Sequence, residues 1–131
     1  MAQDIESRGK RLARLWILIA VTYLLVGASL GVYMGASHSF TLAPVHAHIN
    51  LLGWASMALA GLIYDRFPAA GGSTLGVVHF WMHNTVLPVS MALLACTLLG
   101  NEAVAPLTGV MLILLLVTLL VFAVNLYRNM K

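Results

Sequence analysis

Four long apolar runs alternate with short polar segments along the chain. Each run exceeds the ~18 residues that mark a membrane span, and at ~1.5 Å per residue each crosses a ~30 Å hydrocarbon layer. The pattern predicts helices over residues 15–36, 41–64, 74–99 and 104–127. Pro44 and Pro106 fall in the first turns of the second and fourth, where a missing N–H costs nothing. Pro88, near the middle of the third, predicts a kink. Ser37-His38-Ser39 and Gly100-Asn101-Glu102 read as tight turns, and Asp65 to Ser73, where proline and glycines cluster, reads as a loop. The expected architecture is an all-α membrane protein, a single four-transmembrane-helix bundle over 1–131.

The polar start of the chain, residues 1–14, carries Arg8, Lys10, Arg11 and Arg14. It predicts a short interfacial helix beside anionic headgroups. Met34-Gly35-Ala36-Ser37 offers the small residues of a cleavage site, but the apolar run before it is longer than the ~7–15 residues of a signal-peptide core. The first run therefore reads as a span.

Composition agrees with the pattern. Hydrophobic residues make up 61 % of the chain and charged ones 8 %, against about 25 % charged in soluble domains. The net charge of +3 does not point to nucleic acid, because all seven cations lie outside the apolar runs. With the N-terminus inside, the inner segments hold Arg8, Lys10, Arg11, Arg14, Arg66, Arg128 and Lys131, and the outer turns hold none. The positive-inside rule then places both termini in the cytoplasm. Cys96 is the only cysteine, so no disulfide forms within one chain, and its apolar surroundings predict a packing role.

Candidate chemistry centres on Pro44-Val45-His46-Ala47-His48-Ile49-Asn50-Leu51-Leu52-Gly53-Trp54. Ionisable residues at membrane depth are functional candidates by default. Successive helical residues turn by ~100°, so His46 and His48 point to nearly opposite sides. One ion is not readily chelated by both, whereas two planar cofactors can each take one flank. Haem suits this, because its macrocycle lies between helices while iron takes an imidazole nitrogen. Asn50, at i+4 from His46, can orient an imidazole or bond a cofactor edge. Gly53 permits close helix approach, and Trp54 can cap a ring stack or anchor packing. The competing expectation is that both imidazoles bond neighbouring carbonyls or water. A zinc or copper site around His38, His46 and His48 is a further alternative, although His38 reads first as a solvated turn residue.

His79 and His83, at i and i+4, share one helix face. Such a pair can chelate zinc or copper, but a metal site wants three or four ligands. A hydrogen-bonding role is the leading expectation; a second haem or metal site and proton handling follow. The proposed topology puts His46 and His48 toward the outer surface and His79 and His83 toward the inner one, so the pairs read as separate sites.

The succession His46-Ala47-His48, Leu52-Gly53-Trp54, Gly61-Leu62-Ile63-Tyr64, Pro68 and His79-Phe80-Trp81 resembles two successive helices of haem–copper oxidase catalytic subunits. It is closest to the C-family cytochrome c oxidases and their nitric oxide reductase relatives, and covers roughly residues 43–99. The resemblance implies that His46 matches the axial ligand of the active-site haem and His48 the ligand of the low-spin haem. The family uses about a dozen helices, and its other haem ligand, its metal-binding histidine cluster and its associated tyrosine come from helices this chain lacks. A complete oxygen- or NO-reducing site is therefore not present in one chain.

The expected function is a haem b-binding integral membrane protein of a prokaryotic cytoplasmic (inner) membrane. It would serve electron transfer or binding of O₂ or NO, act as a homo-oligomer (a dimer first), and have a possible redox partner. The alternative is a non-catalytic oxidase assembly or accessory protein, or one that handles haem or copper. No internal repeat or charged pore lining supports a transporter. Trp16, Tyr33, Tyr64 and Tyr127 read as interfacial belts, Tyr23 as a deeper residue able to bond a neighbour, and the fourth helix as a lipid-facing surface.

Overall fold

The computed structural model describes residues 1–130; Lys131, one of the cations in the charge count, lies outside the described residues. Four helices are long and apolar enough to cross a membrane, and no strand occurs among the described residues. The first is α1 (Ala2–Ser37). The second span runs from Ala43 to Arg66 and is built of three pieces: α2 (Ala43–His48), a π-helical segment (Ile49–Ala55) and α3 (Ser56–Arg66). A single-turn α4 (Pro68–Gly72) leads to the third span, α5 (Thr74–Leu98), and α6 (Ala105–Asn129) forms the fourth.

The expected interfacial segment and first span are one continuous helix. Nothing in residues 1–14 interrupts the α ladder, and the lone Gly9 there is buried rather than breaking it. At 36 residues the helix is about 54 Å long, so it extends well past a hydrocarbon layer and carries its cations on the overhang. It ends at His38, which takes the left-handed conformation (φ 52°) as C-cap. Histidine is among the residues that tolerate this region when glycine is absent.

Residues 65–73 also depart from expectation. The α3 helix continues to Arg66, only Phe67 breaks it, and Pro68 starts α4 at a position suited to proline. Gly71 and Gly72 act there as packing surfaces. A Cβ on Gly71 would lie 2.9 Å from Cβ of Tyr64, and one on Gly72 would strike the Ile5 carbonyl. Gly9 meets α4 from the other side: its Cβ would strike the Pro68 carbonyl oxygen and lie 2.9 Å from the Gly72 nitrogen. Arg8 closes the joint, its Nε donating to the Gly72 carbonyl at 3.0 Å and its guanidinium giving a second bond to the same oxygen.

The same device recurs along α1. A Cβ on Gly61 would lie 2.7 Å from Cγ1 of Ile17, and one on Gly53 2.6 Å from the Tyr23 ring. Side chains this close to a neighbouring helix require glycine. Between them sits the core, in which Ala13, Trp16, Ala20, Met57, Tyr64 and Leu87 are fully buried. Trp16 and Tyr64 are thus core residues and not belt residues, whereas Tyr33 and Tyr127 are exposed. Cys96 is exposed too, so it does not pack the interior.

The α5 helix runs unbroken through Pro88. Side chains occupy carbonyls around it: Ser90 Oγ donates to the Val86 carbonyl at 2.7 Å, and Thr85 Oγ1 to that of Trp81 at 2.8 Å. Both are side-chain back-bonds to i−4 carbonyls that already belong to the helical ladder; the oxygen that Pro88 leaves without its ladder donor is that of Asn84. Along α6, Thr108, Leu115, Thr118 and Asn125 form a buried stripe, so the outward surface expected of this helix is not continuous around it.

Gly9→Ala should lower stability by roughly 1–3 kcal/mol, the range for overpacking, because backbone atoms of α4 cannot yield. Gly109, whose Cβ would meet nothing within 4 Å, should accept alanine without loss. Unfolding by sodium dodecyl sulfate in mixed micelles, followed by circular dichroism, measures both.

Candidate functional site

The HxH pair occupies the last turn of α2, just before the π segment. His46 and His48 point to different flanks of the span. The His46 ring lies toward α1, where its Nδ1 donates to the Gly27 carbonyl at 2.9 Å. Gly31, one turn further along α1, gives it room: a Cβ there would sit 2.9 Å from Cε1 of His46. Asn50 fills the adjoining space over Gly27, with its amide nitrogen donating to the His46 carbonyl at 2.9 Å and lying 3.4 Å from Nε2 of His46. Asn50 therefore stands against this imidazole, as its i+4 spacing predicts.

His48 is half-buried on the opposite flank. Its Nδ1 donates to the Pro44 carbonyl of its own helix at 2.7 Å, and Nε2 forms no hydrogen bond among the described residues. The imidazole borders a groove of about 210 Å³ closed by Leu52 and by Leu112, Leu115, Leu116 and Leu119 of α6. Both members of the pair thus have the same proton placement. A carbonyl can only accept, so Nδ1 carries the hydrogen in each, and a neutral ring keeps its lone pair on Nε2. Metal-ligating histidines commonly show this arrangement, with the other ring nitrogen bonded to a carbonyl. Gly53 gives the close approach expected of it, and Trp54 packs half-buried against the core without a partner ring.

His79 and His83 are almost fully buried, at 2 % and 1 % exposure. Both engage protein partners. The Tyr64 hydroxyl lies 3.0 Å from Nδ1 of His79 and accepts from the Asn125 amide at 3.1 Å, which leaves its own hydrogen for the imidazole. His83 donates from Nε2 to the Leu52 carbonyl at 3.0 Å, and its Nδ1 faces Thr118 Oγ1 at 3.0 Å. The Thr118 hydroxyl also reaches the Leu115 carbonyl at 2.7 Å, so its one hydrogen has two acceptors. Return from π to α register skips one carbonyl in the helical ladder. Within this segment Leu52 takes an outside donor.

Aromatic rings pack this pair tightly. The His79 ring stacks on Phe122 at 4.8 Å between centroids and lies 4.7 Å from the Trp16 ring. Nε1 of Trp16 is the one buried side-chain polar atom without a partner among the described residues. A cavity of about 180 Å³, bordered by His79, His83, Ser56 and Phe122, opens between α3 and α6.

From Tyr64 the polar chain continues to the end of the bundle that carries α4. Asn125 donates to the Ala70 carbonyl at 3.0 Å and accepts from Ser73 Oγ and from the Asn129 amide, each at 2.8 Å. Ser73 in turn caps α5, accepting from the Gly76 nitrogen at 3.0 Å. Thr118 and Asn125 escaped the sequence reading, which took α6 for a lipid face, and Tyr64 was read there as an interfacial belt residue. Their signal was faint but present: Thr118, Phe122, Asn125 and Asn129 lie at i, i+4, i+7 and i+11, one side of a helix.

Among the described residues no three His, Cys, Asp or Glu side chains are grouped to hold a metal ion. His38, in the turn after α1, does not join His46 and His48 in such a group. Comparison with protein families, with curated proteins and with solved structures gives no match to this chain.

Removing a hub of this chain strands its partners. Asn125→Ala and Tyr64→Phe should each cost roughly 1–3 kcal/mol, the penalty for an unsatisfied buried polar group. The double variant should cost less than the sum, since each change strands partners of the other. Detergent unfolding of the three variants checks it; additive losses would show that the two side chains act independently.

Proposed function

We propose that this chain is a haem b-binding membrane protein whose ligand nitrogen comes from the HxH pair, His48 foremost. The observation that carries the proposal is the proton placement at His48: Nδ1 is held by the Pro44 carbonyl, Nε2 forms no hydrogen bond among the described residues, and the ring borders a leucine-walled groove. An imidazole lone pair beside an apolar wall matches the chemistry of a porphyrin, which needs one nitrogen donor and an oily surround. His46 fits the role less well within one chain, because Asn50 and α1 already cover it. It serves here as a positioning residue, together with Asn50, Gly53 and Trp54.

A groove of about 210 Å³ covers only part of a macrocycle. A second copy of the chain, most simply in a two-fold dimer, would cover the remainder and could offer a second imidazole. Bound haem supplies one-electron chemistry or a site for a diatomic gas such as O₂ or NO. Two imidazoles at the iron favour electron transfer with a redox partner; one favours gas binding. The distribution of Lys and Arg supports cytoplasmic termini, in the inner membrane of a prokaryote. The second reading is a protein that carries haem transiently as an oxidase assembly or accessory factor; the half-buried setting of His48 favours exchange.

Protein produced in haem-replete cells should carry haem visible in its oxidised and dithionite-reduced absorption spectra. His48→Ala should remove most of it, at least tenfold by pyridine haemochrome assay. His46→Ala should lower haem less and stability more. A colourless wild-type protein, or full haem in the His48 variant, would sink the assignment. A band shift with carbon monoxide would indicate an open position at the iron.

A further inference from the structure

We propose that the groove between α1 and α5 is a binding site for one anionic glycerophospholipid. The site is independent of the HxH pair. Two helix faces form it. On α1, Arg8, Arg11, Leu15 and Ile19 follow one another down a single side, and on α5 Phe80 and Trp81 stand opposite. The space between them measures about 600 Å³ and opens outward. From Arg8 to Ile19 the α1 face descends about 16 Å at the rise of a helix. It changes from cationic to wholly apolar on the way. A molecule that matches this gradient has an anionic head and a hydrocarbon body joined end to end.

The charges at the upper end are disposed for such a head. Arg8 spends part of its guanidinium on the Gly72 carbonyl, which fixes its position at the rim. Arg11 is exposed and forms no hydrogen bond or ion pair among the described residues. Asp4, the nearest acid on this helix face, is paired with the terminal ammonium at 2.8 Å. The rim therefore presents a net positive charge. Basic clefts between membrane helices are suited to phosphate headgroups, and an arginine fork bonds phosphate oxygens two at a time. At the lower end Trp81 is 62 % exposed, a large ring turned into the groove's mouth. Asn84 closes the floor with its amide nitrogen tied to the Phe80 carbonyl at 2.8 Å. Trp81 and Phe80, packed edge to face at 5.5 Å, give an acyl chain a continuous apolar wall.

Trp81 also supplies the measurement. Trp16 is buried, and Trp54→Phe removes the half-buried indole, so fluorescence of that variant in vesicles reports accessibility at Trp81. The protein is reconstituted in phosphatidylcholine vesicles that contain the same mole fraction of either brominated phosphatidylglycerol or brominated phosphatidylcholine. The expected result is stronger quenching by the anionic lipid. Arg11→Gln should reduce that excess about fivefold, the factor equivalent to the ~1 kcal/mol a basic side chain contributes near an anionic surface. Lys10→Gln, which removes the same charge outside the groove, should leave the excess in place. Equal quenching by the two lipids overturns the proposal, as does an equal loss in both variants, which would mean diffuse headgroup attraction. Trp81 shielded from both lipids also overturns it, with a second copy of the chain as the occupant instead. The two lipids are compared in one variant at equal haem content, so the excess reports the groove and not the haem.

Discussion

A carboxamide enclosed by apolar helices has two hydrogens to place and two lone pairs to fill, and Asn125 finds a partner for each, with the one Ser73 hydroxyl hydrogen shared between its oxygen and the Ala70 carbonyl. Its nitrogen donates to the Tyr64 hydroxyl and the Ala70 carbonyl, and its oxygen accepts from Ser73 and Asn129. In hydrocarbon there is no water to take the place of a missing partner. This one side chain therefore ties together α3, α4, the cap of α5 and α6, and a helix shifted out of register would leave several groups unpaired at once. Apolar contacts alone do not discriminate as sharply, because lipid tails are as oily as leucine. The Asn125 constellation thus gives the α4 end of the bundle a single arrangement, and the positions of Tyr64 and His79 follow from it.

The glycines act by the opposite means, allowing backbones to approach where Asn125 makes them bond. Gly9 against Pro68, Gly61 against Ile17, Gly53 against Tyr23 and Gly27 against Asn50 join α1 to the second span and α4 along most of its length. Each contact costs the conformational freedom of a glycine in a helix, about 0.5–1 kcal/mol. Dispersion between closely opposed surfaces offsets that cost. The long α1 helix consequently behaves as the spine of the fold. It places His46 beside Gly27 at one end and Arg8 beside Gly72 at the other.

The four spans were legible because a run of twenty apolar residues leaves a chain few alternatives in a membrane. The prolines at the first turns were legible for a similarly local reason. The π segment, α4 and the burial of Trp16, Tyr64 and Asn125 were not. In a uniformly apolar helix the buried and lipid-facing sides have nearly the same composition, so periodicity carries little information about orientation. The glycines of residues 71 and 72 illustrate the difficulty: the same residue type breaks a helix in water and permits close packing between helices. For the HxH pair, the opposed directions were readable from helical geometry alone. That His46 would be taken up by α1 and His48 left to a groove required knowledge of the neighbours.

The two histidine pairs are connected through the backbone of the second span. His83 donates to the Leu52 carbonyl, and Leu52 walls the groove that His48 borders, one turn after it. A bonded chain thus runs from Asn125 through Tyr64 to His79, whose ring meets that of His83 at 5.6 Å between centroids. The contact between the two rings is packing and not a hydrogen bond. Even so, its effect on the π segment is definite, because a displaced His83 would leave the Leu52 carbonyl without that donor. The bland expectation for His79 and His83, a hydrogen-bonding role, is therefore more than space filling. Through His83 it gives the Leu52 carbonyl of the π segment a donor. The ligand candidate sits immediately upstream of that segment, where a shift in register would rotate the imidazole away from α6.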